Sequence, residues 1–414
     1  MVKDLKDIVV ALDIGTSKVM VVVAEVLGNG ELKLAGLGVA PSYGPSPGLK
    51  RGVVVNIDTT VRSIQQALEE AELMADCHIS RVFTGISGRH IQGLNSIGMV
   101  AIRDREVSAS DVARVIETAK TINISTDQRL LLVEPQEFII DSQEVKEPIG
   151  MSGIRLEARV HIVTGAQSAA DNITKCVRRC GLEVDRLMLN PLASSLAVLT
   201  EDEKELGVAL VDIGAGTTDV AIFAGGAIRH TAVIPIAGDL ITNDIATALR
   251  TPTKEAEDIK IHSGCAKQLL ADPEQQVEVP GLGDRAVRLL SRQALAGVIE
   301  PRVEEIFLLV QQVIRDSGFE DRLSSGVVLT GGSSLMAGMV ELGEDIFLKP
   351  VRRGVPRYAS ALSDMVAQPR AATVMGLLEE ARTARLRQQQ TMAPKPSPVH
   401  DTWAKIRAWF AGNF

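Results

Sequence analysis

Apolar residues fall along the chain at two spacings. Residues 8–12 and 19–24 are continuous, β-branched runs, as expected of strands buried on both faces, and they flank the turn Asp13-Ile14-Gly15-Thr16-Ser17-Lys18. Residues 59–75 instead repeat at helical spacing through Val61, Ile64, Leu68, Ala71 and Ala75. A further strand is predicted at 82–86. The texture then changes over 84–162, with several glycines, a short helix at 110–122 capped by Ser108 or Ser110, and strands near Leu130 and Phe138. Residues 160–165 predict a return strand, followed by a helix at 167–180 that Gly181 ends as its C′ residue. Residues 84–162 are therefore expected to be an insertion between neighbouring core elements. Helices are predicted at 238–249 and 254–261, and 327–335 predicts a strand, a glycine pair and a helix start. The core pattern stops near Arg385; Gln388, Gln389, Gln390, Pro394, Pro396 and Pro398 predict a linker over 386–401.

One segment is echoed. Val10-Ala11-Leu12-Asp13-Ile14-Gly15-Thr16 is answered roughly 200 residues later by Leu210-Val211-Asp212-Ile213-Gly214-Ala215-Gly216-Thr217-Thr218-Asp219. Each copy is a strand, an Asp-Ile-Gly turn and a second apolar strand, so two related lobes are expected. A tight turn with Gly15 at its bend and Thr16 and Ser17 beside it offers N–H and hydroxyl donors to phosphate oxygens. Asp13 at the strand end suits magnesium or its waters, and Lys18 adds a phosphate-directed charge. Gly214, Gly216, Thr217 and Thr218 offer the same from the other lobe, with Asp212 facing Asp13. Either turn alone reads equally as an ordinary hairpin. Their repetition, with Thr330-Gly331-Gly332-Ser333 further on, points to a nucleotide held between lobes.

Composition narrows the class. A chain of 414 residues, 45% apolar and only 3% aromatic, must build an aliphatic core, and its length suits two to four structural units. A net charge of −8 argues against a nucleic-acid partner, which needs a basic face. Cys77, Cys176, Cys180 and Cys265 make neither a disulfide framework nor a zinc set, as expected in a reducing compartment. Residues 1–7 hold no apolar secretory segment, and no uncharged run reaches the ~18 residues of a spanning helix. Residues 402–414 hold both tryptophans and two of the eight phenylalanines. On a helix, Trp403, Ile406, Trp409, Phe410 and Phe414 share one apolar arc of about 140°, flanked by Lys405 and Arg407. Such a segment suits reversible anchoring on an anionic lipid surface; a partner groove is the alternative.

The ordered set 10–19, 208–223 and 326–339 resembles the two phosphate motifs and the adenosine motif of the actin, sugar-kinase and DnaK-type chaperone superfamily. Within it, the chain is similar along essentially its whole length to the bacterial cell-division family FtsA. That closer likeness rests on Phe83-Thr84-Gly85-Ile86-Ser87-Gly88-Arg89-His90-Ile91, the two turns, Val298-Ile299-Glu300-Pro301-Arg302 and the tail. The resemblance implies an α/β, two-lobed actin-like fold (ribonuclease H-like, duplicated) with an inserted 1C subdomain at 84–162. The first lobe core (IA) would take 1–83 and 163–205, and the second (IIA) 206–226 and 301–385. A lower subdomain (IIB) would take 227–300, followed by the linker and an amphipathic membrane-targeting helix at 402–414.

The resemblance also implies ATP and magnesium. Gly238, Asp239 and Asn243 would lie near phosphates, and Gly331, Gly332 and Ser333 would line the adenine pocket. Glu257 and Lys260 would face the ribose and base, or else form an i,i+3 surface pair. Relatives orient the attacking water with a carboxylate or glutamine; here Asn190 of Leu189-Asn190-Pro191 takes that place, which predicts ATP binding with slow or undetectable hydrolysis. The implied role is a self-associating adaptor that holds the tubulin-like protein FtsZ at the cytoplasmic face of the inner membrane and recruits later division proteins. Its FtsZ-facing surface would include Arg302 and Glu305. The rival readings are a pilus-assembly actin-like protein, expected to lack the tail, and a metabolite kinase, which needs a base where Asn190 stands.

Overall fold

The computed structural model describes residues 7–42, 47–283, 285–357 and 363–392. The chain opens with an antiparallel meander, β1 (Ile8–Ile14), β2 (Lys18–Val26) and β3 (Leu32–Pro41), then a small hairpin, β4 (Leu49–Lys50) and β5 (Val53–Val54). Helix α1 (Ile57–Ala75) follows, its first turn capped by the Asn56 side chain accepting from the Thr59 amide. It buries Ile64, Ala67, Leu68, Ala71 and Ala75, the face its spacing predicts. Strand β6 (Arg81–Ile86) returns parallel to β1.

The inserted unit comprises β7 (Gln92–Ala101), α2 (Ala109–Ala119), β8 (Gln128–Ile140), β9 (Gln143–Val145) and β10 (Arg155–Ala166), in a sheet of order β7-β10-β8-β9. Ser108 and Asp111 form a reciprocal capping box at the start of α2. Val115, Ala119, Ile140, Leu156, Ala158, Val160 and Ile162 close a hydrophobic core separate from those of the lobes. The expected strands near Leu130 and Phe138 are one strand, β8. It bulges at Gln136, where the register passes from Glu137 to Pro135. Thr84 still belongs to the first sheet, pairing with Leu12 and Leu187. The insertion therefore starts after Ile86 rather than at residue 84, and β10 carries it to Ala166.

Helix α3 (Gln167–Arg179) and β11 (Glu183–Leu189) complete the first sheet, in the order β11-β6-β1-β2-β3. Helices α4 (Asn190–Val198) and α5 (Glu201–Leu206) lead into a second meander, β12 (Val208–Ile213), β13 (Thr218–Ala224) and β14 (Ala227–Ile234). Next come α6 (Gly238–Leu249), α7 (Thr253–Ser263), the hairpin β15 (Gln276–Val279) and β16 (Arg288–Ser291), and α8 (Arg292–Asp316). Strand β17 (Val327–Thr330) pairs parallel with β12; after α9 (Met339–Phe347), β18 (Val351–Arg353) pairs parallel with β17. The second sheet thus runs β14-β13-β12-β17-β18. Both sheets are one topology: three antiparallel strands in sequence, then two parallel strands added beside the first. The sequence echo is a duplication of architecture.

Three further expected boundaries move. Strand β14 is an integral edge of the second core sheet, so that core extends past 226 to Ile234. After α10 (Ser363–Val366), helix α11 (Ala372–Met392) packs on α4, β1, β2 and β6. Val374, Met375, Leu377, Leu378 and Ala381 are buried in the first lobe's core, so residues 372–385 belong to that lobe and not to the second. Gly376 makes the crossing possible, since a Cβ there would stand 1.6 Å from the Ala193 carbonyl oxygen. The helix also runs past the expected linker start at 386: Leu386 packs against the first-lobe core and Gln389 donates to Asp7 at 3.2 Å. The membrane residues named above, Trp403, Lys405, Ile406, Arg407, Trp409, Phe410 and Phe414, lie outside the described residues. No described helix is long and apolar enough to cross a membrane.

Candidate functional site

Strands β1 and β12 each carry an aspartate one residue before their end, Asp13 and Asp212. Each then makes the same turn: the Gly15 amide donates to the Lys18 carbonyl at 2.9 Å, and the Gly214 amide to the Thr217 carbonyl at 2.9 Å. The two turns face each other across a cavity of about 360 Å³ between the lobes. Asp13, Gly15, Thr16, Ser17 and Lys18 line it from one side, and Asp212, Gly214, Gly216 and Thr217 from the other. The turns meet closely. A Cβ on Gly216 would lie 2.5 Å from Thr16 Oγ1 and 2.9 Å from Arg51 Cα, so a side chain there would push the lobes apart.

Glu257, Lys260, Gly331, Gly332 and Ser333 also line the cavity. Lys260 is buried and donates to Glu257 at 2.7 Å, to Thr242 at 2.8 Å and to the Gly238 carbonyl at 3.1 Å. The pair is thus built into the wall rather than solvated. Ser333 donates to the Gly214 carbonyl at 2.9 Å, tying the β17 turn to the second glycine turn. Gly331 has φ +83°, and a Cβ on it would stand 2.4 Å from Asp212 Oδ1; only glycine fits.

Four residues expected to contact the nucleotide stand outside the cavity lining, and Arg302, expected on a partner-facing surface, lies apart from it. Thr218 is fully buried, facing away, with its hydroxyl on the Ile236 carbonyl; in a strand, neighbours of inward-facing Thr217 and Asp219 must point to the other face. Gly238 and Asp239 lie beneath the second turn, their amides donating to Gly214 and Ala215 at 3.1 and 2.8 Å. They support the turn without lining the cavity. Asn243 is exposed one turn further along α6 and does not line it. Arg302 is engaged on α8 by Asp244, at 2.6 Å, and by Glu305.

The cavity also recruits groups that the turns did not announce. Asp219 pairs with Asp212 across the β12–β13 hairpin, placing a third carboxylate on the same wall. Ser87, from the end of β6, donates to Asp219 across the lobes, and Thr217 donates to its other oxygen at 3.0 Å. Ser194 and Thr373 donate to Asp212 at 2.6 and 3.3 Å. The aspartate ending Thr217-Thr218-Asp219 could have pointed to Asp219; nothing local points to Ser87, Ser194 or Thr373.

Burial dominates the electrostatics. It raises Asp13 to about 6, with Lys18 opposing and Asp212 adding, and it raises Asp219 to about 7. Asp212 is raised by burial too, against the two hydroxyls that stabilise its charge. Burial lowers Lys18 to about 8. Three carboxylates that resist ionisation side by side are the setting a hard divalent cation relieves. Among the described residues no group of three or more acidic, histidine or cysteine side chains is spaced to hold a metal alone. The donor set therefore fits magnesium shared with phosphate oxygens and water, the way that ion is commonly bound. Asn190 lines the same cavity, and its buried Oδ1 has no hydrogen-bond partner among the described residues. A buried, unpaired acceptor facing a cavity awaits water or ligand.

Two lobes of one sheet topology closing on such a cavity define the actin-like class. Solved structures agree on the fold. The chain superposes on a chain of the PilM-PilN type IV pilus biogenesis complex with a TM-score of 0.64 at 19% identity, covering 90% of this chain and 98% of that one. MreB5 of Spiroplasma citri bound to ADP gives 0.58 at 14% identity, covering 93% and 99%. Within the class, the family model described as Cell division protein FtsA matches residues 209–376, and the SHS2 domain inserted in FtsA matches 88–164. Cell division protein FtsA of Pseudomonas aeruginosa is 54% identical over 412 residues, 98% of each chain. That of Escherichia coli K12 is 43% identical over 418 residues, 99% of each. The chain belongs to the FtsA family of cell-division proteins.

Proposed function

We propose that this chain is an ATP-binding adaptor that self-associates and tethers FtsZ to the cytoplasmic face of the inner membrane, where it recruits later division proteins. The observation that carries the nucleotide part is the pair of identically hydrogen-bonded turns, built on Gly15 and Gly214, facing each other over three buried carboxylates. Amides and hydroxyls of Thr16, Ser17 and Thr217 would hold phosphate oxygens, and Lys18 would balance their charge. Asp13 and Asp212 would orient magnesium through its waters; the ion supplies charge neutralisation along the polyphosphate. Gly331, Gly332, Ser333, Glu257 and Lys260 would seat the nucleoside. Asn190 offers an attacking water a hydrogen bond but no useful base, so turnover is slow and the nucleotide acts as a structural ligand.

The tether reading rests on family membership and on the aromatic, lightly cationic segment 402–414. On a helix its five large apolar side chains would share one arc and, at ~1.5–3 kcal/mol each before ordering costs, would give reversible attachment that clustering strengthens. The FtsZ-facing surface would lie on the lower part of the second lobe and α8, with Arg302 and Glu305 as its candidates. Arg302 is already held by Asp244, so its substitution would also loosen α8 from α6.

Co-sedimentation with anionic vesicles tests the tether, comparing the full chain with a 1–392 truncation, each with and without purified FtsZ. The full chain should pellet, carry FtsZ with it, and lose both properties on truncation. A full chain left in the supernatant, or FtsZ that fails to follow it, overturns the tether.

A further inference from the structure

Three cations line the cavity: Lys18, Lys260 and Arg370. Two are committed. The Lys18 ammonium donates to the Arg370 carbonyl at 2.8 Å, and Lys260 is neutralised by Glu257 and satisfied by Thr242 and Gly238. The guanidinium of Arg370 is different. The residue is exposed at the cavity mouth, and among the described residues its side chain has no hydrogen-bond or ion-pair partner.

Its backbone, in contrast, is fixed from both lobes. It sits in the turn Pro369–Ala371, where the Pro369 carbonyl accepts from the Gly331 amide at 3.3 Å and from the Thr330 hydroxyl at 3.4 Å. Arg370 Cβ stands 3.8 Å from where a Cβ on Gly332 would be. Lys18, from the first phosphate turn, holds its carbonyl. The side chain therefore starts from a defined point between the first glycine turn and the Gly331–Gly332 turn, with its charged end unspent.

A polyphosphate entering this cavity meets the carboxylates of Asp13, Asp212 and Asp219; Lys260 is neutralised by Glu257, and Lys18 alone cannot offset that negative charge as well as the phosphates. We propose, on the reading of the cavity as a nucleotide site, that Arg370 is a nucleotide-contacting residue whose guanidinium pairs with the polyphosphate. Its planar set of donors matches two phosphate oxygens at once, which an ammonium cannot do. Anchorage of the backbone by Lys18 places it on the phosphate side of the cavity, and solvent at the mouth lets the side chain swing in without losing a partner among the described residues. The contact would help select nucleotides by the number of phosphates and would act on binding rather than on hydrolysis.

The test is equilibrium binding of MgATP, MgADP and AMP to the full chain, to R370Q and to R370K, at low and at physiological salt. R370Q should weaken MgATP and MgADP about tenfold at low salt, change AMP by under about twofold, and lose less as salt screens the contact. R370K should recover part of the loss. Equal weakening of all three ligands would mean stacking on the base and overturns the phosphate assignment, as does an unchanged R370Q. If the unaltered chain binds no MgATP, the nucleotide reading itself falls, and this inference with it. Because Arg370 is exposed, R370Q should unfold at the denaturant concentration of the unaltered chain, which separates a lost contact from a lost fold.

Discussion

The Nε2 atom of His161, on β10 of the inserted unit, lies 2.9 Å from Thr231 Oγ1 on β14, the edge strand of the second core sheet. Its Nδ1 faces Asn95 Oδ1 at 2.7 Å; an amide oxygen only accepts, so Nδ1 carries the proton and Nε2 accepts from the threonine. The edge is capped further by side chains: Gln136, pushed out by its bulge, donates to the Ile228 carbonyl at 2.8 Å, and Asn95 to the Arg229 carbonyl at 3.3 Å. Covalently part of the first lobe, the insertion thus docks by polar contacts on the second.

Removing the imidazole should cost the fold dearly. H161A leaves a void in a site only 1% exposed, takes the imidazole acceptor from the Thr231 hydroxyl and leaves Asn95 Oδ1 with only the Gln136 amide at 3.2 Å. A loss of about 2–3 kcal/mol is expected from cavity and unpaired-group effects together. Chemical denaturation reads it; a change below about 0.5 kcal/mol would show that the contact is dispensable.

The same residue sets a pH dependence. Burial, helped by neighbouring His230, holds His161 at about 4 rather than 6.5. The unfolded chain therefore takes up the proton first, and stability from this residue is full above pH 6.5 and lost as pH falls toward 4. Linkage bounds the loss at ~3 kcal/mol. Denaturation midpoints followed from pH 7 to pH 4 should fall, and H161Q should flatten that slope.

The cavity carboxylates act in the opposite sense. Asp13 at about 6 and Asp219 at about 7 hold protons that the unfolded chain, near 3.8, releases. Their contribution is present below pH 3.8 and is lost as pH rises through 6 to 7. Binding of MgATP should favour their ionised forms, so protons leave on binding near pH 6.5 and not at pH 8.5. Calorimetry in buffers of different ionisation enthalpy measures this, and heats independent of buffer at pH 6.5 would contradict it.

Asn190 makes a prediction about catalysis. The unaltered chain should hydrolyse ATP barely above background in single turnover. N190D replaces the amide with an isosteric carboxylate in a site with no room behind it, since a Cβ on Gly85 would stand 2.2 Å from Oδ1. Supplying a base should raise hydrolysis at least about tenfold. Vigorous turnover by the unaltered chain would show that another group positions the water.

Much of this was legible in the chain because the signals are local. Buried strands such as 8–12 announce themselves by continuous β-branched residues, and the Asp-Ile-Gly turns by what glycine permits. Alternation along β13 was legible too, and would have set Thr218 aside. Other features were not local. Asp219 reaches the site through its register with Asp212, and Ser87 through a hydrogen bond spanning the lobes. A helical apolar pattern at 372–385 says that a face is buried, not in which lobe, because burial of apolar surface has no direction. Its packing on α4, β1, β2 and β6, with Gly376 under the Ala193 carbonyl, decides it.

By itself, then, the sequence determined the two repeated turns, the strands that present them and the family likeness they carry, since each depends on a few neighbouring residues. The tertiary structure alone decided which carboxylates share one buried wall, which cation is left unspent there, and where the insertion docks. Those are properties of groups far apart in the chain, brought together by non-directional burial and then fixed by hydrogen bonds that exist only once the lobes have closed.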